Sequence, residues 1–426
     1  MAGYGPVNSM DDGSSVEPEG ASGASIGAPE HLARGDGVRR PFHWRKRHTW
    51  TLVLGLVIAA LVSAELIQLP YYAITPGSAP AVSGLITVPA AQRHHHKGSV
   101  LLVYVELTPL RALYYPFFWL DPDAAIYPSG EILGSESAAE YQTEGEIDMS
   151  TAQQAATVVA LRELGYKVTV QPLGALIYGI LPGSPAASAL QVGEIMSRVN
   201  GVKVPTFLSL QGVLDALAPG AVIRVVVSAY PSGSPHLVTM RLGEFRIEGS
   251  GTSKTLSCLP MGQGTRYVPW RRATVAGGKP HTIACLGIYP QGSGGPSVDG
   301  TAFKVGPLPV NVDLSSEGIV GPSAGLAFTL GLMQELDPAN LTGGLKIAAT
   351  GTMSIDGTVG DVGGVAQKTI AVRDAGASVF FVPPEELAVA RSHAGPKLKV
   401  YAVTSIGQVI RILESLGGRL TRTTAR

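Results

Sequence analysis

Residues 50–69, WTLVLGLVIAALVSAELIQL, constrain this chain more than any other stretch, because their only charge is Glu65, near the far end. At ~1.5 Å per residue such a run spans ~30 Å as a helix, the thickness of a hydrocarbon core. A buried core helix of this length so near the N-terminus is the weaker reading. So is a cleaved signal peptide: Val62-Ser63-Ala64 resembles a small-residue cleavage site, but the segment before the apolar run is far longer than an ordinary n-region. Arg34, Arg39, Arg40, Arg45, Lys46 and Arg47 precede the run, and the next cation after it is Arg93. That asymmetry predicts a single-pass anchor over 48–69, in contact with the lipid bilayer through 50–69. The N-terminus would be cytoplasmic and the rest of the chain outside. Trp44, Trp50, Tyr71 and Tyr72 suit the two interfaces.

Ahead of the anchor, residues 1–47 divide by charge. Residues 1–33 carry Asp11, Asp12, Glu17, Glu19 and Glu30 with no Lys or Arg, and no hydrophobic periodicity, so a disordered tail is expected before the basic cluster. Over the whole chain Lys+Arg and Asp+Glu balance at 32 each, so there is no cationic surplus to displace phosphate counterions. Nucleic acid is excluded as a partner on that ground. A hydrophobic fraction of 45% in 426 residues predicts two or three domains with real cores. Two cysteines support neither a disulfide-dense scaffold nor a four-cysteine zinc site, and no metal or cofactor is expected.

Residues 70–165 read as a separate α/β segment. A Val- and Leu-rich strand is expected over 98–108. His94-His95-His96 precede it and would point in different directions, which favours a solvated loop over a metal site. Residues 121–148 carry many carboxylates and no Lys or Arg, but no calcium loop of the D-x-[DN]-x-[DN]-G type, so a solvated face is expected. Residues 150–165 predict a helix, with Ser150 as N-cap and Gly165 closing it.

Residues 166–243 alternate strand and helix signals. A strand over 175–181 ends at Pro182-Gly183. Ser184-Pro185 opens a short helix, and a strand over 194–199 closes at Asn200-Gly201. Thr206 then caps a helix with Phe207, Leu210, Leu214 and Leu217 on one face. The run LPGSPAASALQVGEIMSRVNG resembles PDZ domains of the bacterial, protease-associated kind, with Gly193-Glu194 where Gly-Asp is usual. That resemblance implies capture of a chain end as an added strand, and Leu173, Gly174, Ala175 and Leu176 would be the carboxylate-binding loop. A PDZ used only as spacer or gate is the competing reading.

Gly321-Pro322-Ser323-Ala324-Gly325 stands ahead of a helical pattern, where small neighbours admit substrate and the positive helix end favours an oxyanion. As G-x-S-x-G it also fits a nucleophile elbow, and alone it is weak. Further on, a strand runs into Thr350-Gly351, and a glycine-punctuated turn leads into a helix over 365–375 that carries Lys368 among apolar residues. A desolvated lysine can take a serine proton without histidine, and Thr350 can orient the amine. GPSAGLAFTLG, LTGGLKIAATGTMSIDGTVGDVGGVAQKTIAVRDAGA and FVPPEE, taken together over 310–420, resemble the proteolytic domain of Lon peptidases. With the anchor and the PDZ-like run, the chain resembles the membrane-anchored, PDZ-containing Lon-like proteases of bacteria, the YlbL type. The resemblance implies Ser323 as nucleophile and Lys368 as base. It also implies Thr350 as support beside the lysine, protein or peptide substrates outside the membrane, and ring-like homo-oligomers in some relatives. Many Lon enzymes carry an acid where this chain has Val320.

Residues 244–309 fall outside that resemblance. There, one disulfide between Cys258 and Cys285 is favoured over metal binding outside the cytoplasm. Gly277-Gly278-Lys279 is followed by Pro280 and makes no P-loop, so no nucleotide is expected and proteolysis would be ATP-independent. Two alternatives remain: a Ser–His–acid hydrolase with Ser323, Asp374 and His393, and a non-catalytic PDZ-based chaperone or scaffold.

Overall fold

The computed structural model describes residues 45–134, 137–230, 233–248, 255–259, 284–289, 300–316 and 318–421. The acidic tail and the first part of the basic cluster lie outside them, as does much of the 244–309 segment. Helix α1 runs over Arg45–Leu66. Its 18 residues from Thr49 to Leu66 are long and apolar enough to cross a membrane, and none is buried against protein.

From residue 60 onward the chain is one compact unit of mixed α/β structure. It begins with β1 (Gln68–Pro76), β2 (Ser99–Leu102), β3 (Val105–Arg111), the short α2 (Tyr115–Leu120) and β4 (Ala125–Pro128). Strand β1 lies between β3 and β4 in an antiparallel sheet, with Tyr72 opposite both Pro109 and Tyr127. The 98–108 strand is therefore two strands, broken at residues 103–104.

Helix α3 (Ala138–Glu163) starts well before the predicted 150–165. Ser137 and Glu140 form a reciprocal capping box: the Glu140 N–H donates to Ser137 Oγ at 3.2 Å and the Ser137 N–H to Glu140 Oε2 at 2.8 Å. The acidic stretch is thus not a solvated face throughout. Glu144 and Asp148, one turn apart on α3, are only 3% and 5% exposed.

Residues 166–242 build a second sheet from β5 (Val170–Leu176), β6 (Glu194–Val199), β7 (Val222–Ala229) and β8 (His236–Arg241), with helix α4 (Phe207–Asp215) between β6 and β7 in the chain. Asn200 (φ 49°) and Gly201 (φ 82°) supply the left-handed turn after β6. A fifth strand, β9 (Thr301–Val305), returns from beyond the cysteine segment to complete the antiparallel order β8-β7-β6-β5-β9. Ala175, Met196, Leu210, Ile223 and Val225 form its core. Strands Gly243–Glu248 and Thr255–Leu259 pair antiparallel, and Cys258 is disulfide-bonded to Cys285.

The C-terminal part runs α5 (Gly325–Leu336), β10 (Lys346–Ala349), α6 (Val365–Asp374), β11 (Val379–Val382), α7 (Leu387–His393), β12 (Lys399–Ala402) and α8 (Ile406–Ser415). Its sheet is wholly parallel, in the order β12-β11-β10-β2. Both faces are buried, which explains unbroken apolar strands such as VFFV. Ile347 and Phe381 face a core shared with Leu326, Phe328, Val159 and Ile410, while Ala348 and Phe380 face Val372 and Ala390.

Strand β2 and helix α3 come from the 70–165 stretch. That stretch is therefore no separate layer: it shares one core with residues 310–420. The physical reason is that β2 (burial over Ser99–Leu102 almost complete) and the apolar face of α3 have no other surface on which to bury.

Candidate active site

The loop before α5 is shaped by two glycines with different tasks. Gly321 has φ 92° and donates its N–H to the carbonyl of Gly145 on α3 at 2.8 Å. Pro322–Ala324 then forms a single 3₁₀ turn that runs into α5 and holds Ser323 at the helix entrance. Gly325 is there for space, since a Cβ would sit 2.8 Å from Met353 Cβ and 2.9 Å from its nitrogen. That closeness lets two backbones zip together. The Gly351 N–H donates to Ser323 O at 3.0 Å and the Leu326 N–H to Gly351 O at 3.1 Å.

Lys368 stands in the first turn of α6, which opens at Gly364 in the left-handed conformation (φ 68°). It is 4% exposed. Its Nζ donates to Thr350 Oγ1 at 3.4 Å, and that hydroxyl donates to Ser323 O at 3.4 Å. Thr350 itself is fully buried, held by its N–H to Phe381 O at 3.0 Å. Burial lowers the Lys368 pKa to about 8, with the nearby Glu386 carboxylate acting in the opposite sense. The positive end of α6 also disfavours a charge in that first turn.

Ser323 and Lys368 line one cavity of about 570 Å³, walled by Tyr72 and Tyr104 from the β1/β3 side, Tyr141 from α3, and Ile319 and Val320 ahead of the serine. The chemistry available is that of a hydroxyl at a helix entrance beside an amine that loses its proton near neutral pH. Glu386 is itself half-buried with a raised pKa, from burial first and then from the neighbouring Asp361.

Residues 310–414 match the Lon protease (S16) C-terminal proteolytic domain. The chain therefore carries a Lon proteolytic domain, a peptidase domain, over its C-terminal part. A comparison with curated proteins finds no match. Among solved structures, the chain is similar to the PDZ domain of an SdrC-like protein from Listeria monocytogenes, at 13% identity and a TM-score of 0.15, over 16% of this chain and 72% of that one.

The other sequence-predicted residues fall as follows. Gly321, Pro322 and Ala324 surround the serine in the Lon domain, as the loop requires. Asp374 and His393 do not line its cavity. Asp374 is exposed and paired with Arg373 at 2.9 Å, and His393 Nδ1 lies 3.0 Å from Val389 O. The structure does not assemble Ser323, Asp374 and His393 into a triad.

Leu173, Gly174, Ala175 and Leu176 make no carboxylate-binding loop: all four lie within strand β5. Ala175 is paired with Met196 on one side and Thr301 on the other, and the Leu176 N–H donates to Gly300 O at 2.8 Å. With Ala175 and Leu176 partnered on both edges and Gly174 paired with Ala302, this segment is sheet and not an open loop for a chain end. The neighbouring edge at Gly179–Ile180 is likewise taken, by Ile288–Tyr289.

His94-His95-His96 line a separate cavity of about 300 Å³ with Arg93, Gln334 and Glu335, so His94 and His96 are half-buried instead of solvated. His96 Nε2 donates to Asp337 O at 2.8 Å. Among the described residues no cluster of His, Cys, Asp or Glu is arranged to hold a metal.

Sequence reasoning missed Asp148. Burial raises its pKa to about 7, and Oδ1 has no hydrogen-bond partner among the described residues. Its α3 neighbour Gly145 packs against the serine loop: its carbonyl accepts from the Gly321 N–H at 2.8 Å, and a Cβ there would sit 3.1 Å from Val320 Cβ. The only signal in the sequence was Glu144 and Asp148 at helical spacing within an acidic run.

Proposed function

We propose that this chain is an ATP-independent serine endopeptidase that uses a Ser323–Lys368 dyad. It is anchored in a membrane through 50–69 with its catalytic part outside the cytoplasm. The observation that carries this reading is the buried amine of Lys368, near pKa 8, in the same cavity as Ser323 and joined to the serine's backbone through Thr350. Neutral Lys368 Nζ takes the proton of Ser323 Oγ as Oγ attacks the scissile carbonyl carbon. The tetrahedral oxyanion forms at the entrance of α5, where the positive end of the helix favours it. The ammonium then returns its proton to the leaving amine, and water repeats the sequence on the acyl-enzyme. Thr350 positions the amine and Glu386 tempers its pKa.

The apolar part of the cavity wall, with Val105, Leu107, Pro109 and Ile319, suits an apolar peptide segment. A folded domain does not fit about 570 Å³, which favours unfolded or terminal segments as substrates. The PDZ-like sheet over 166–243 acts with it. Its β5 edge is occupied by β9, so spacing or gating suits it better than capture at 173–176.

The test is cleavage of an unfolded protein by the full chain in detergent, without nucleotide. Ser323→Ala and Lys368→Ala should each abolish it and His393→Ala should leave it intact. Loss in His393→Ala with retention in Lys368→Ala would restore the hydrolase reading. No cleavage by the wild-type chain would favour the scaffold.

A further inference from the structure

One surface outside the catalytic cavity is unlike the rest of the unit. Helix α2, YPFFWL, buries none of its residues. Phe117, Trp119 and Leu120 are 69%, 69% and 71% exposed, with Tyr114 at 45% beside them. No charged residue lies between Arg111 and Asp121. A contiguous apolar surface of this kind is rare on a water-bathed domain and marks a partner.

The patch is tied to the end of α1 by backbone. The Leu113 N–H donates to Ala64 O at 3.1 Å, and the Ala112 N–H to Ile67 O at 3.0 Å. Arg111 Nη1 pairs with Glu65 Oε1 at 2.6 Å, so the two charges at this level neutralise each other. The Tyr71 and Tyr115 rings lie 6.3 Å apart, and Leu66 and Ile67 remain exposed alongside. Tyr, Phe and Trp at the end of an apolar helix are the residue types that settle at the headgroup level of a bilayer.

We infer that residues 114–120 sit in the interfacial layer of the leaflet from which α1 emerges, a second contact with a phospholipid bilayer that holds the catalytic cavity against the membrane. This rests on the reading of α1 as an anchor. Its consequence is a substrate class. Tyr72, which lines the cavity, comes six residues after Leu66, and at no more than ~3.4 Å per residue that places it within ~20 Å of the helix end. Leu107 and Pro109 on β3 line the same cavity. The substrates that gain from this placement are extended polypeptide segments that leave the bilayer surface close by, such as the flanks of other membrane-inserted chains. Peptides free in bulk solution gain nothing from it.

The experiment uses the full chain in vesicles of phosphatidylcholine and phosphatidylglycerol, some carrying acyl chains brominated near the headgroup. Changing Trp44, Trp50 and Trp270 to Phe leaves Trp119 as the one tryptophan, and a sister variant keeps Trp50 alone. Quenching of both Trp119 and Trp50 supports the inference. Quenching of Trp50 without Trp119 overturns it and leaves the anchor standing. Quenching of neither overturns the anchor as well. In a second arm, the combined Phe117→Glu, Trp119→Glu, Leu120→Glu variant should cleave unfolded protein in detergent at the wild-type rate. It should cleave a segment tethered to its own vesicle about tenfold more slowly. An unchanged rate on the tethered segment, or an equal loss on both substrates, overturns the substrate class.

Discussion

Lys368 Nζ approaches Thr350 Oγ1 to 3.4 Å, and through that one hydroxyl the amine is linked to the backbone of Ser323. Both contacts are long for hydrogen bonds, so they guide the amine without clamping it. In the proposed dyad the base swings from threonine to serine and needs this looseness, and catalytic hydrogen bonds commonly tighten only with substrate in place.

Thr350→Val keeps the volume and removes the hydroxyl. Its kcat is expected to fall about tenfold with little change in KM, and Thr350→Ser to recover most of it. Steady-state kinetics on an unfolded substrate check both. A wild-type rate in the valine variant would remove Thr350 from the site.

Cleavage should depend on pH through Lys368. In the proposed dyad the neutral amine is the active form, so kcat/KM should climb as pH rises through about 8. Glu386 stabilises the ammonium, so Glu386→Gln should move that limb to lower pH. A pH–rate profile of both proteins reads the shift, and an unmoved limb would break the link between the two groups.

Asp148 gives stability the opposite slope to a salt-bridged carboxylate. Its folded pKa is raised from 3.8 to about 7, so between those values the folded state holds a proton that the unfolded state has lost. Stability from this group is complete below pH ~4 and falls by up to ~1.4 kcal/mol per pH unit as pH rises towards 7. Asp148→Asn should flatten that decline and raise the urea midpoint at pH 8. Parallel pH curves for the two proteins would contradict it.

The two glycines flanking Ser323 should fail differently. Gly321→Ala meets no atom within 4 Å and pays only for its backbone, φ 92° with ψ 158°, a region nearly reserved to glycine, at a cost of ~1–3 kcal/mol. Gly325→Ala drives a Cβ to 2.8 Å from Met353 and separates the backbones that Ser323 and Gly351 share. It should cost more stability and most of the activity, by urea unfolding and cleavage rate. A harmless Gly325→Ala would mean that this approach can relax.

Much of the chain was legible in order. The apolar run at 50–69, the capped helix at Thr206, the Asn200-Gly201 turn and the glycine-bounded segments around Ser323 and Lys368 are local patterns, written in neighbouring residues. Where the reading failed, the deciding contact was distant. Residues 173–176 looked like a loop because the strand that closes their edge, β9, follows the whole cysteine segment. Glu144 and Asp148 looked solvated because carboxylates ordinarily are, and only the packing of α3 against α5 buries them.

The sequence by itself determined which groups are present: a serine at a helix entrance, a lysine in an apolar turn, and an apolar stretch long enough for a bilayer. These depend on spacing of a few residues, which chain geometry enforces alone. Only the tertiary structure decided that residues 70–165 complete the Lon domain's sheet and core. It also decided that Lys368 is dry enough to titrate near 8, and that the aromatic face of α2 starts where α1 stops. Burial and proximity across a hundred or more residues are properties of packing, and no local pattern encodes them.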